Sequence, residues 1–339
     1  RKDCPLIQPT SGSFLRNYLY LLVTPAFTVI CNCITGFLAD KHFPQFKPKG
    51  LLSGKMKLDI KRQVAGLMMG KLSDTSRNSF DSIVLSALFG LTVVAVYNNY
   101  YYIYHAVYGI LLTITQALQA SVGNSIALED ANKNYNDLRK FTFIFGWITG
   151  WCTTCMLCLY QQFMTIWAGE KLLLLNRDMV LFCVYFYAIN MNNSRNLYFN
   201  GKGLWWAGKA TFILEAISNM ILNICLGIKL GVTGILTATI ITIIIFNFIS
   251  RTNILFEQYF KRKPSQFYCD HIRYAAATTG TAFLTYVLCE RILIENVIFS
   301  LMIKAIICFF LPHLIFSFFY RNYNQYMIAV SFLKNVFRK

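Results

Sequence analysis

Long stretches of this 339-residue chain carry almost no charge: 19–38, 91–127, 144–168, 217–228, 231–250 and 298–319. An apolar stretch of 18 or more residues is long enough, at a rise of about 1.5 Å per residue, to cross the hydrocarbon core of a bilayer. Several such windows in one chain make lipid its solvent. Sheets are then excluded unless closed into a barrel, and barrel strands are short and alternating, which these windows are not. Only 14% of the residues are charged, against about 25% in soluble domains. The expected fold is therefore all-α and polytopic.

Hydropathy and turn signals predict nine helices, at 14–39, 62–89, 92–124, 139–167, 172–199, 205–228, 231–256, 269–289 and 296–319. A basic linker (40–61) separates the first two. A short amphipathic segment (129–140) precedes the fourth, and an aromatic, basic tail after Tyr320 suits the membrane interface.

The formal net charge of +17 invites a nucleic-acid reading, but its distribution argues against one. Alternating the nine helices across a bilayer puts 21 lysines and arginines in one set of connections, from Lys41–Arg62 through Lys133, Arg139, Lys140, Arg195, Lys202, Lys209, Lys261–Lys263 and Arg273 to the C-terminal tail. Six fall on the opposite side: Arg1, Lys2, Lys171, Arg177, Lys229 and Arg291. Basic residues favour the cytoplasmic face, which places the linker and C-terminus there. The chain opens on Arg1, without a signal peptide, before a helix that starts outside. The expectation is that further helices precede it.

The cysteines suggest no framework. Cys31, Cys33, Cys152, Cys155, Cys158, Cys183, Cys225, Cys289 and Cys308 all lie in apolar runs, where thiols act as small hydrophobes. Cys152-Thr-Thr-Cys155 has redox-type spacing but no second pair or nearby histidine, so neither redox nor metal chemistry is expected. His42, His105, His271 and His313 are scattered, and neither a Walker A sequence nor a loop with paired carboxylates occurs. The chain does not read as an enzyme.

Chemistry concentrates on the second helix. Lys71, Asp74, Arg77, Asn78 and Asp81 follow helical spacing on one side of it. Each ionisable group at bilayer depth costs at least about 2.5–3.5 kcal/mol, so the row faces protein or a watery cavity. Cavity lining is the expected reading, with an Asp–Arg–Asp ladder tying helices together as the alternative. In the sixth helix Glu215, Asn219 and Asn223 form a second row, suited to cavity lining or to interhelical hydrogen bonds. Arg251, Glu257 and Lys304 are expected to snorkel towards an interface. Tyr97-Asn-Asn-Tyr-Tyr-Tyr reads as an aromatic belt at the outer interface.

Several segments together resemble bacterial polysaccharide flippases of the O-antigen and capsule type. They are Lys71-Leu-Ser-Asp-Thr-Ser-Arg-Asn-Ser-Phe-Asp-Ser, Phe89-Gly-Leu-Thr-Val-Val-Ala-Val-Tyr-Asn-Asn-Tyr, Val122-Gly-Asn-Ser-Ile-Ala, Leu159-Tyr-Gln-Gln-Phe-Met-Thr-Ile-Trp-Ala-Gly-Glu and Gly231-Val-Thr-Gly-Ile-Leu-Thr-Ala-Thr-Ile, with Lys47-Pro-Lys-Gly in the linker. The resemblance runs over roughly 15–275 in order and spacing rather than through one diagnostic motif. It implies a MATE-like fold of two six-helix lobes around a central cavity. Residues 1–39 would hold the last helix of the N-lobe, 40–61 the inter-lobe linker, 62–257 the C-lobe, and 258–339 two additional helices and the tail. Five N-terminal helices would then be missing.

The implied activity is translocation of an undecaprenyl-diphosphate-linked oligosaccharide across the bacterial cytoplasmic membrane by alternating access, without ATP hydrolysis. The implied partners are that lipid-linked oligosaccharide, membrane lipids and other polysaccharide-assembly proteins, with no nucleic acid. No cofactor is expected beyond a coupling proton or sodium ion. Arg77, helped by Lys71, would engage the diphosphate, since a guanidinium matches phosphate oxygens with paired donors. Asp74 and Asp81 would hold Arg77 or couple an ion. A drug or cation exporter of the same superfamily and a lipid-linked glycan polymerase are the alternatives. The first would favour carboxylates over Lys71 and Arg77, and the second needs a large outer loop.

Overall fold

The computed structural model describes residues 11–46, 50–292 and 294–337. No strand occurs among them. The chain divides into two compact units, Arg1–Lys57 and Leu58–Lys339. The first holds α1 (Ser11–His42), which carries Pro25 internally, and a short 3-10 turn at Pro44–Phe46. Arg1, Lys2, Lys47, Lys49, Arg338 and Lys339 lie outside the described residues, as does the Lys47-Pro-Lys motif.

α2 (Gly54–Phe89) begins eight residues before the expected start. Good helix formers fill Lys55–Lys61, and the Ser53 hydroxyl accepts from the Met56 amide at 3.3 Å, so the last eight residues of the expected linker are wound into the helix. Then follow α3 (Leu91–Leu128), α4 (Ala131–Ala168), α5 (Asn176–Asn190), α6 (Asn193–Gly201), α7 (Lys209–Leu230), α8 (Val232–Phe260), α9 (Ser265–Glu290), α10 (Val297–Tyr320) and α11 (Asn324–Phe337). The amphipathic segment at 129–140 is the start of α4, capped by the Asp130 carboxylate on the Lys133 amide at 2.6 Å.

Five helices, α3, α4, α7, α8 and α10, are long and apolar enough to cross a membrane. α7 shows why lipid is the fitting solvent. Ile213, Leu214, Ile217, Ile221, Ile224 and Ile228 are exposed, while Glu215, Asn219 and Asn223 on the opposite face are fully buried. That is the reverse of a helix at a water-facing surface.

α4 is the central post of the second unit, with α5, α9 and α10 packed along it. Tyr97, Tyr100 and Tyr104 of α3 pack with Phe182, Tyr185 and Phe186 of α5 and with Ile235 and Leu236 of α8. Of the tyrosines expected to form an outer belt, Tyr97 and Tyr100 are therefore core residues on one face of α3, Tyr101 is half-buried and Tyr102 is exposed. Periodicity could have separated them, since 97, 100 and 104 share a helical face and 102 does not.

The α7–α8 hairpin turns at Gly231, whose φ of 66° an L side chain rarely adopts. At Gly234 a Cβ would stand 2.0 Å from the Leu226 carbonyl oxygen, so only glycine lets the two helices touch there.

Two helices depart from regular winding. The expected helix 172–199 is broken into α5 and α6 by Met191 and Asn192. Asparagine amides compete with backbone amides for carbonyls. Here Asn190 donates to the Phe186 carbonyl at 2.8 Å and Asn192 to the Ala188 carbonyl at 2.7 Å. α8 opens into π-helical turns at Ile243–Ser250 and again at Phe256–Phe260.

Candidate functional site

α2 reaches the middle of the second unit because Gly66 lies directly against the Trp205 backbone. A Cβ there would come within 2.5 Å of it. Two turns further along, α2 borders a polar cavity of about 250 Å³. Lys71, Asp74 and Arg77 of α2 line it with Tyr108 and Thr115 of α3. Most of the remaining wall comes from the two irregular helices. Ile189, Asn193, Asn196 and Asn200 contribute from α5 and α6 on either side of the break, Asn247 from the π-wound part of α8 and Arg251 from just after it, while Trp205 and Phe212 add an aromatic face. Wide turns reset the angular position of the side chains that follow them, and single π turns are frequent at functional sites.

The charges are arranged around one carboxylate. Glu215, fully buried in α7, accepts from Arg77 Nη1 at 2.6 Å on one oxygen and from Arg251 Nη2 on the other. Arg77 Nη2 also reaches Asp74 at 3.1 Å, the half-exposed member of the group. Arg251 lies over the Phe212 ring, 4.2 Å from its centroid. Both guanidiniums keep an Nε with no acceptor among the described residues. On the lining itself Lys71, Arg77 and Arg251 face the single carboxylate of Asp74, with Glu215 behind the wall, which leaves an excess of positive charge.

Behind the α5–α6 break, Arg195 is fully buried with no carboxylate in contact. Its Nη2 donates to Asn192 Oδ1 at 3.0 Å and to Asn247 Oδ1 at 2.5 Å, and its Nε and Nη1 find no acceptor among the described residues. It ties the broken helix to the π segment.

A second polar cluster lies one turn further along α2. Asp81 accepts from Tyr97 at 2.9 Å, from Asn223 Nδ2 at 2.7 Å and from Thr239 at 3.4 Å. Asn223 also donates to Asn219 Oδ1 at 3.2 Å, and Asn219 donates to Thr239 at 3.1 Å. This network knits α2, α3, α7 and α8 together.

The eight residues expected to line a cavity thus separate. Lys71, Asp74 and Arg77 line it, and Glu215 anchors it from behind. Asp81, Asn219 and Asn223 are enclosed in the neighbouring network and are not part of its lining. The Asn78 side chain lies outside the described residues.

Two expectations are overturned. Arg251 does not snorkel to an interface but is buried on Glu215, because the π turns carry it inward. Arg195, counted among cytoplasmic loop charges, belongs to the interior. Asn193, Asn196, Asn200 and Asn247 were missed altogether. Their only sequence signal was asparagine density inside otherwise apolar segments.

A larger cavity of about 570 Å³ lies between α4, α5 and α9. Its walls are mostly aliphatic and aromatic, among them Leu157, Met179, Val180, Phe283 and Tyr286, and no charged side chain lines it. Its polar groups are uncharged, among them Asn176, Thr153, Thr278 and Thr279.

Comparison with known protein families, with curated proteins and with solved structures gives no match for this chain.

Proposed function

We propose that residues 62–257 form the C-lobe of a membrane transporter that moves an amphiphile with a phosphate-bearing head across the bilayer, of the class of undecaprenyl-diphosphate-linked oligosaccharides. The carrying observation is the cationic excess of the polar cavity, which Lys71, Arg77 and Arg251 line, while Asp74 and the buried Glu215 are the carboxylates that pair with the two guanidiniums among the described residues. Two guanidiniums pre-oriented on a buried carboxylate lose little rotational freedom on binding an anion, and each offers phosphate a planar donor set. Lys71, exposed at the cavity, would add a point charge for the entering head group.

The winding of the helices supports transport in particular. Transporters commonly place irregular backbone only where it borders a cavity inside the membrane, and a broken helix and a π segment converge on this one. The nine expected crossings are α1, α2, α3, α4, the α5–α6 pair, α7, α8, α9 and α10, with α11 as an interfacial tail in the cytoplasm. A head group sheltered in the cavity avoids hydrocarbon while its lipid tail stays in the bilayer. Rocking of this lobe against a partner lobe, driven by a proton or sodium gradient, would alternate access.

The test is flipping of a fluorescent diphosphate-linked lipid in proteoliposomes containing the full-length protein. Arg77→Ala is expected to abolish it at unchanged protein density. Undiminished flipping by Arg77→Ala, or preferential transport of a cationic dye, would overturn the reading.

A further inference from the structure

Away from the charged cavity, three thiols from three helices meet in the interior. Cys158 of α4, Cys289 at the end of α9 and Cys308 in the middle of α10 are buried, and their sulfurs all lie within 4.8 Å of one another. The Cys289 and Cys308 sulfurs are 3.9 Å apart. Three sulfurs in a plane, each about 2.3 Å from a central ion, stand about 4.0 Å from one another by trigonal geometry. The Cys289–Cys308 spacing already matches that of a three-coordinate thiolate site, and the Cys158 sulfur lies within 4.8 Å of both.

The position of Cys308 follows from Pro312. Proline has no amide hydrogen, so the carbonyl four residues before it is left without its helical donor. That carbonyl belongs to Cys308, and α4 supplies replacements: Trp151 Nε1 at 3.0 Å and the Cys155 thiol at 3.4 Å. The kink-prone turn of α10 is thereby pinned to α4 one helical turn from Cys158. Cys155 is committed to the carbonyl and does not supply a fourth sulfur.

We propose that Cys158, Cys289 and Cys308 form a binding site for a soft monovalent d10 cation, Cu+ in the first instance. Zinc prefers four ligands or three plus a water, and this site is closed off, with Cys289 and Cys308 essentially unexposed. Soft thiolates in low coordination select Cu+. Binding one Cu+ breaks two S–H bonds and releases two protons to solvent, leaving the three-sulfur complex with one negative charge. Lys304, one turn before Cys308 on α10 and close enough for its charge to act on Cys289, offsets it. The exposed thiols Cys33 and Cys225 are not members of the cluster.

The experiment uses the full-length protein in detergent, handled anaerobically with ascorbate and titrated with Cu+ against a chromogenic Cu+ chelator. One Cu+ per chain is expected, with X-ray absorption showing three sulfurs at about 2.3 Å. Cys158→Ser, Cys289→Ser and Cys308→Ser should each weaken retention at least about 100-fold, whereas Cys33→Ser and Cys225→Ser should not. The sulfur count is read on the unmodified chain, so it stands even if a variant fails to fold. Failure to retain Cu+, equal retention by the triple variant, fewer than three sulfurs, preference for Zn2+, or a Cys289–Cys308 disulfide in the isolated protein would each overturn the assignment.

Discussion

One turn of α2 separates two buried polar clusters that differ in kind. Around Arg77, two guanidiniums share the Glu215 carboxylate and line a polar cavity. Around Asp81, the carboxylate is enclosed by Tyr97, Asn223 and Thr239 and borders no such space. Both satisfy the same requirement, that a charge away from water be neutralised by partners. The second has used its carboxylate's bonding capacity on neighbouring helices and therefore acts as glue. The first sets its guanidiniums in the wall of a polar cavity, where an anion can meet them. Charge in a membrane helix is thus a weak sign of function by itself; whether the cluster borders open space discriminates.

The contrast can be broken most forcefully at Glu215. Glu215→Ala leaves Arg77 and Arg251 buried against each other without their shared counter-charge. Loss of about 3–5 kcal/mol is expected, read as a large fall in Tm in detergent or as failure to yield folded protein. Asp81→Ala strands the Tyr97 hydroxyl and the Asn223 amide in the other cluster. A loss of about 1–3 kcal/mol is expected, while stabilisation of the protein by added inorganic pyrophosphate should persist. Tyr97→Phe removes one hydrogen bond to Asp81 and should cost about 1 kcal/mol, with pyrophosphate stabilisation again intact. The smallest stability effect is expected for Lys71→Gln, whose side chain is exposed at the cavity. Its Tm without ligand should be unchanged and its pyrophosphate-induced shift diminished. If Asp81→Ala removed the pyrophosphate shift and Lys71→Gln left it whole, the two clusters would have exchanged roles.

A further comparison concerns the two sets of thiols. Cys152-Thr-Thr-Cys155 had the suggestive spacing, yet the cluster that forms takes Cys158 instead, with partners 131 and 150 positions further along the chain. Spacing along the chain, from which neither redox nor metal chemistry was expected, gives no sign of this grouping. Which face of α4 meets α9 and α10 is a matter of packing, and Trp151 and Cys155 are held to the carbonyl that Pro312 frees.

What the amino-acid order determined alone was which segments are apolar and which faces of them are polar. Apolar windows of spanning length, the position of α7's polar stripe opposite its isoleucines, and the gathering of Lys71, Asp74, Arg77 and Asp81 on one helix all follow from hydropathy and a 3.6-residue period. Arg77's involvement in a charged cluster was legible for the same reason. Tertiary structure decided which of those polar groups line space and which are consumed by neighbours, because that depends on partners more than a hundred residues away, such as Glu215 for Arg77 and Asn223 for Asp81. It also decided the fate of Arg251, Arg195 and Asn247. A regular helical wheel cannot follow a chain through a break at Met191–Asn192 or through the π turns after Thr242, where the angular register of every later side chain is reset.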